Sequence, residues 1–286
     1  MKLYIIVNHL NSGSVKMKSQ VFELLNIKYE ILMQRKIRLE KDVVYFFLKH
    51  LPNINILNKI HQLQSKIIYE PLDCKFDLSP EKYINFMKNI SPYIHYFIFN
   101  SLSMKNYFIE KINPQIQGDV IYHHFDKKLI NHQKTSHPKF FLYLGILQKT
   151  CFTPENFKKF NITQYSIDKK DCQGVHVNFC KKHLNLHHIY TSTKLATSLI
   201  LDSIFVCNKI PIYLELLGEN YPFFFEENLS DFKDKIKDAR RVYKDPKLLK
   251  SYLKIYSQVK EKLSPQHCAI QYQNLFNNFL NNSLIH

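Results

Sequence analysis

Short apolar runs rich in β-branched and aromatic residues recur along the chain, each followed by a polar break and a stretch of helical spacing. The first is Leu3–Val7, which runs out into Asn8-His9-Leu10-Asn11-Ser12-Gly13-Ser14 before a helical pattern over Val15–Leu25. Tyr29–Met33 and Val43–Leu48 read as strands, and Ile56–Leu63 reads as a helix. Lys66–Tyr69 is a further strand, ending in Glu70-Pro71-Leu72-Asp73. Ser79-Pro80-Glu81 joins a capping hydroxyl to a proline in the first turn and so predicts a helix start. Tyr96–Phe99 predicts a strand ending at Asn100-Ser101, with a helix over about 103–111 after it, and Asp119–Tyr122 a strand ending in His123-His124-Phe125-Asp126. Strands alternating with helices predict a doubly wound parallel sheet, whose ligand loops lie at the carboxyl ends of the strands.

Residues 127–138 are polar, with little to bury, and read as a linker. The expected division is therefore an N-terminal domain over residues 1–133 and a C-terminal domain over 134–286. A run over Phe140–Leu147 opens the second domain, and Val175–Phe179 and Ile204–Cys207 add strands. Helices are expected over Thr191–Leu201, Ser230–Tyr243, Pro246–Leu263 and Gln266–Leu280, the last a candidate to pack back on the first domain.

Composition narrows the function classes. Apolar residues make up 45%, with 22 Phe and 18 Tyr, enough to build two cores and exclude a disordered chain. The net charge of +16 points to an anionic ligand, a nucleic acid or a lipid surface. It divides evenly, with 19 Lys/Arg against 11 Asp/Glu in residues 1–136 and 21 against 13 in 137–286. Abundant Lys, Asn and Ile with five Gly and no Trp also suggest AT-rich coding, which lowers the weight of that charge. Six cysteines without a CxxC pair read as reduced thiols in a cytoplasmic protein. The apolar start is too short for a signal peptide, and no run approaches a membrane span, so any membrane contact is expected to be peripheral.

The stretch Tyr190-Thr191-Ser192-Thr193-Lys194-Leu195-Ala196-Thr197-Ser198-Leu199, followed by Val206-Cys207-Asn208-Lys209-Ile210-Pro211-Ile212, resembles the second domain of GT-B glycosyltransferases. In that family a polar loop with a lysine opens a helix, which leads to a short strand around a proline and then an acidic residue, here Glu215. The following Glu215-Leu216-Leu217-Gly218-Glu219-Asn220-Tyr221-Pro222-Phe223 and the closing amphipathic helices are similar to bacterial members. The resemblance implies an α/β fold of two Rossmann-like doubly wound domains with an interdomain cleft, the acceptor on the first and the nucleotide-sugar donor on the second. It implies transfer to a glycan, a lipid-linked glycan or another hydroxyl acceptor, with no cofactor or metal and a cytoplasmic location, bordering on the inner face of a membrane. Two departures stand out: no Gly precedes Pro211, where Lys209-Ile210 stands, and the helix from Thr191 lacks the Glu that many retaining members carry. A non-catalytic relative and a nucleic-acid-binding or modifying protein therefore stay open as alternatives.

The residue types suit that chemistry. A helix opening on Ser192 and Thr193 offers backbone N–H groups and a positive dipole end, and Lys194 adds a full charge, together a diphosphate cradle. Glu215 is expected to accept from two ribose hydroxyls, and Lys181, after a strand, to add charge beside Lys182. By the resemblance, His9 at the end of the first strand is the candidate base of an inverting reaction, with Asp73 as a second catalytic candidate. Asn11, Gly13, Asn100, His124 and Asp126 are expected in loops facing the ligand. The series Cys172, His176, Cys180, His183, His187, His188 holds ligand types for zinc, but its spacing matches no common zinc site, and the expected metal ligands are none.

Overall fold

A computed structural model describes residues 2–10, 13–72, 79–130, 139–144, 150–165, 172–180, 190–226 and 228–281 of the chain. In order, the elements are β1 (Lys2–Val7), α1 (Gly13–Phe22), β2 (Tyr29–Met33), β3 (Val43–Leu48), α2 (Ile54–Gln62), β4 (Lys66–Glu70), α3 (Pro80–Ile90), β5 (Tyr96–Phe99), α4 (Leu102–Lys111) and β6 (Gly118–Val120). They continue as β7 (Lys139–Leu144), α5 (Pro154–Lys159), β8 (Thr163–Tyr165), β9 (Gly174–Asn178), α6 (Thr193–Ile200), β10 (Ile204–Asn208), α7 (Pro211–Leu217), β11 (Phe224–Phe225), α8 (Leu229–Lys244), α9 (Pro246–Ile255), α10 (Ser257–Lys262) and α11 (Pro265–Asn281). The chain forms two compact units, one of Met1–Tyr122, Leu184–Thr191 and Pro265–His286, the other of His123–His183 and Ser192–Ser264.

The first unit holds a parallel sheet in the order β2-β1-β3-β4-β5-β6. Alternation along each strand sends residues to opposite faces, and both faces are apolar. Tyr4, Ile6, Tyr45, Phe47, Ile67, Phe97 and Phe99 pack with Leu57 of α2, Tyr83 and Met87 of α3 and Phe108 of α4. Leu3, Ile5, Val7, Val44, Phe46, Ile68 and Ile98 pack with Val15, Val21 and Phe22 of α1 and with Tyr272, Leu275 and Phe276 of α11. The sheet is thus wound on both faces. Helix starts follow the local chemistry: Asn53 accepts from the Ile56 N–H at 3.1 Å, Ser79 from Lys82 at 3.3 Å and Ser101 from Met104 at 3.0 Å.

One polar cluster interrupts the α1–α11 face. Lys18, Glu70 and Tyr272 are buried together. The Lys18 ammonium lies 2.8 Å from Glu70 Oε1 and donates to the Tyr272 hydroxyl at 2.7 Å, and that hydroxyl donates to Glu70 Oε2 at 2.6 Å. Burial and the adjacent carboxylate hold the Tyr272 phenol well above its ordinary pKa, so it stays a donor. Three elements distant in sequence (α1, the end of β4 and α11) are fixed in one register by this triad.

The second unit holds a parallel sheet in the order β11-β10-β9-β7-β8. Counted within each unit, both sheets begin with the order 2-1-3-4-5, so each has its topological switch between its first and third strands. Phe232 of α8 anchors an aromatic cluster, with ring centroids 4.9 Å from Phe152, 5.1 Å from Phe160 and 5.0 Å from Phe225. Two sequence expectations change here. The strand expected around Pro211 is helix α7, because Pro211 takes the first helical position, where it costs no hydrogen bond. The single helix expected over Pro246–Leu263 is divided at Tyr256 into α9 and α10. Among the described residues no helix is long and apolar enough to cross a membrane.

Candidate functional site

Lys194 is the second residue of α6, and its ammonium reaches the ends of the two switch-point strands. It donates to Asn178 Oδ1 at 2.7 Å and to the Tyr143 hydroxyl at 3.1 Å, and lies 4.4 Å from the centre of the Tyr143 ring. Asn178 ends β9, and Tyr143 lies near the end of β7. These two partners are neutral, so the contacts orient the charge without cancelling it. Burial pushes the Tyr143 phenol up to about 12, which keeps it neutral across the physiological range.

The shell behind these groups is ordered. The Asn178 amide donates to the Tyr213 hydroxyl and to Cys180 Sγ, both at 2.9 Å. Asn208, the last residue of β10, accepts from the Cys180 N–H at 2.9 Å and donates to the Cys180 carbonyl at 3.1 Å, tying two strand ends together. Cys180 is buried and its thiol is pushed up by desolvation, so it acts here as packing rather than as a nucleophile. Strand β7 reaches the site through an irregularity: its register with β9 shifts between Phe140 and Leu142, and Phe141 has φ 65°. A bulky residue in the left-handed region stores strain, and a bulge changes which way the following side chains point, here just before Tyr143.

Ser192 precedes α6 without capping it; its hydroxyl donates instead to the His123 carbonyl at 2.8 Å, within the same unit. His124 is buried and its Nδ1 is 2.7 Å from the Phe125 carbonyl, with the rings of His123 and His124 stacked at 5.4 Å. The 123–125 segment is thereby held to the start of the Lys194 helix. Asp126 accepts from the Lys128 N–H at 2.9 Å and caps the short turn that follows. Thr193 begins α6, and Glu215 is half-buried in α7, within the helix that stands where the resemblance implies a strand followed by an acidic residue.

In the first unit the sequence-predicted residues also fall at carboxyl ends of strands. His9 follows β1 and is exposed, and His50 follows β3, the partner strand at that switch point. Asn100 follows β5 and is buried; its amide donates to the Pro71 carbonyl at 3.3 Å, while its Oδ1 has no hydrogen-bond partner among the described residues. Gly13 opens α1, and a methyl group there would meet nothing within 4 Å. Asn11, Asp73 and Lys181 lie outside the described residues, as do Lys182, His183, His187 and His188. His176 lies in β9, whose residues are all buried, and its Nε2 is 2.6 Å from the Cys172 carbonyl. The sequence points to Lys194 and Ser192 but not to Tyr143, Asn178, Asn208 and Tyr213, which the fold gathers around the Lys194 side chain and its partners. A buried Asn closing each of two apolar strands, at Asn178 and Asn208, was the signal available for half of them.

No protein-family model matches the chain, and no curated protein matches it in sequence. Solved structures do match its fold. A glycosyltransferase from Rickettsia africae ESF-5 superposes with a TM-score of 0.68 at 11% identity, covering 98% of this chain and 99% of that one. Sucrose-phosphate synthase from Thermosynechococcus elongatus superposes with a TM-score of 0.59 at 9% identity, covering 99% and 100%. The chain therefore shares with them a fold of two Rossmann-like units of the GT-B type.

Proposed function

We propose that this protein is a glycosyltransferase that moves a sugar from a nucleoside diphosphate to a hydroxyl acceptor on a glycan or a lipid-linked glycan. The observation that carries this reading is the Lys194 ammonium, oriented by Asn178 and Tyr143 where the two switch-point strands of the second unit end. Anionic ligands of open α/β sheets bind at that position, and a lysine there supplies a point charge for phosphate.

The chemistry follows from the groups involved. The bond between the anomeric carbon and the diphosphate oxygen breaks, and the acceptor oxygen forms the new bond to that carbon. Negative charge grows on the departing diphosphate, so a fixed cation stabilises the transition state more than the ground state. Lys194 takes that role, joined by the start of α6 and by Lys181, and Glu215 accepts from the ribose hydroxyls. The acceptor hydroxyl loses its proton to a base on the first unit, for which His9 and Asp73 are the candidates.

The direct test is release of nucleoside diphosphate, measured with UDP-, GDP-, ADP- and dTDP-sugars and a panel of glycan and lipid-linked acceptors. Acceptor-dependent release from one donor supports the reading. Donor binding with no release in any pairing means a non-catalytic relative instead.

A further inference from the structure

The even division of charge between the two halves of the chain conceals a concentration within the second. Residues 233–262 hold eleven Lys/Arg against four Asp/Glu, a net of +7, whereas the whole of residues 137–286 has +8. This stretch is α8, α9 and α10, away from Lys194 in the sequence and built on one unit. At the α8–α9 corner an open cleft of about 870 Å³ is lined by Lys237, Arg240, Arg241, Lys244 and Lys247, with Asp245 as its acid. That carboxylate is engaged as the cap of α9, accepting from the Lys247 N–H at 2.8 Å and the Leu248 N–H at 3.1 Å.

Helix α9 extends the basic surface and adds an apolar edge. At about 100° per residue, Lys247, Lys250 and Lys254 fall on one stripe of the helix. Leu248 and Ile255, two turns apart, lie beside that stripe and are 44% and 69% exposed. The aromatic residues of α9 and its end, Tyr252 and Tyr256, are buried against Tyr221 and offer no stacking surface. A cationic cleft bordered by exposed aliphatic side chains fits a surface that is both anionic and apolar. A single-stranded nucleic acid would instead want exposed aromatic platforms between the cations.

We propose that the α8–α9 corner is a docking surface for an anionic lipid bilayer, with the cleft cations on the headgroup phosphates and Leu248 and Ile255 inserted at the acyl boundary. This rests on the charge and exposure of that corner and is independent of the transfer reading. Its occupant is the bilayer and not the sugar donor.

The test is flotation of the full chain with vesicles of phosphatidylglycerol and phosphatidylcholine, and of phosphatidylcholine alone, with no nucleotide sugar added. Binding to the anionic vesicles alone is expected. The triple variant Arg240→Gln, Arg241→Gln, Lys247→Gln should lose at least about tenfold in affinity, since each basic residue near the surface contributes separately. Leu248→Ser with Ile255→Ser should weaken the binding that persists at high salt, where the electrostatic part is screened. All five positions are exposed, so the fold is retained, which circular dichroism checks. Equal binding by the triple variant, or no vesicle binding with tight binding to RNA or duplex DNA, overturns the proposal.

Discussion

Replacing Lys18 by methionine removes one member of the buried triad and leaves the other two in place. Glu70 then loses its cation at a site closed to water, with the Tyr272 hydroxyl, 2.6 Å from Oε2, as its remaining triad partner. Breaking a buried pair in this way costs about 3–5 kcal/mol. For a unit of this size that lowers the melting temperature by roughly 6–20 °C. Tyr272→Phe keeps the ring against Phe22, Phe46 and Phe276 and removes hydrogen bonds to two charged groups, a loss of about 1.5–3 kcal/mol. The triple variant Lys18→Met, Glu70→Met, Tyr272→Phe leaves no uncompensated charge and should lie closer to the parent than Lys18→Met does, within about 2 kcal/mol. Two compact units make a single unfolding transition unsafe to assume, so the assay is hydrogen exchange read separately on peptides from β3 and β4 and from β9 and β10. The loss should appear in the first pair. Exchange in β3 and β4 unchanged by Lys18→Met, or a triple variant no more stable than that single variant, would refute the idea that the triad locks α11 to the sheet.

Three further outcomes are expected. Burial lowers His176 to about 4 in the fold, against 6.5 when unfolded, so it stays neutral in the fold while the unfolded chain takes up a proton. Stability of the second unit is therefore full above pH 6.5 and falls by up to about 3 kcal/mol towards pH 4, and His176→Leu should flatten that slope in acid denaturation. Gly118→Ala would drive a methyl carbon into the Phe97 carbonyl oxygen and set it 2.7 Å from the Phe99 ring, so it should destabilise the first unit by about 1–3 kcal/mol or more, read as a lower urea midpoint. Tyr143→Phe removes one neutral partner of Lys194 and leaves its charge; donor affinity should fall by less than about tenfold, and a loss as large as that of a Lys194 truncation would mean that Tyr143 contacts the donor itself.

The sheets were legible because their strands are short runs buried on both faces, and such runs appear in sequence as near-continuous Val, Ile, Phe and Tyr. Val43–Leu48 and Tyr96–Phe99 match β3 and β5 residue for residue. The short strands β8 and β11 were missed: Thr163–Tyr165 is polar, and Phe224–Phe225 is too brief to show a period. Lys194 stands out in the sequence as a candidate because a lysine beside hydroxyl residues at a helix start is a local pattern, and the helix does start there. Its partners Tyr143 and Asn178 were not, because they meet it through the register of β7 against β9, which includes the bulge at Phe141. Lys18 and Glu70 were hidden for a similar reason. Each reads alone as a solvated charge, and they are brought together only when α1 and β4 pack.

The central claim is that the second unit binds a nucleoside diphosphate sugar through Lys194. It is tested most directly by calorimetric titration of the parent and Lys194→Ala with UDP-, GDP-, ADP- and dTDP-sugars, with a CMP-sugar as the monophosphate control. Saturable binding of one diphosphate donor to the parent is expected, with about a 10–150-fold weaker affinity in the variant, the worth of a charge-assisted contact of about 1.5–3 kcal/mol. Binding of a diphosphate donor with equal affinity to both proteins, or binding of none of them, would contradict it.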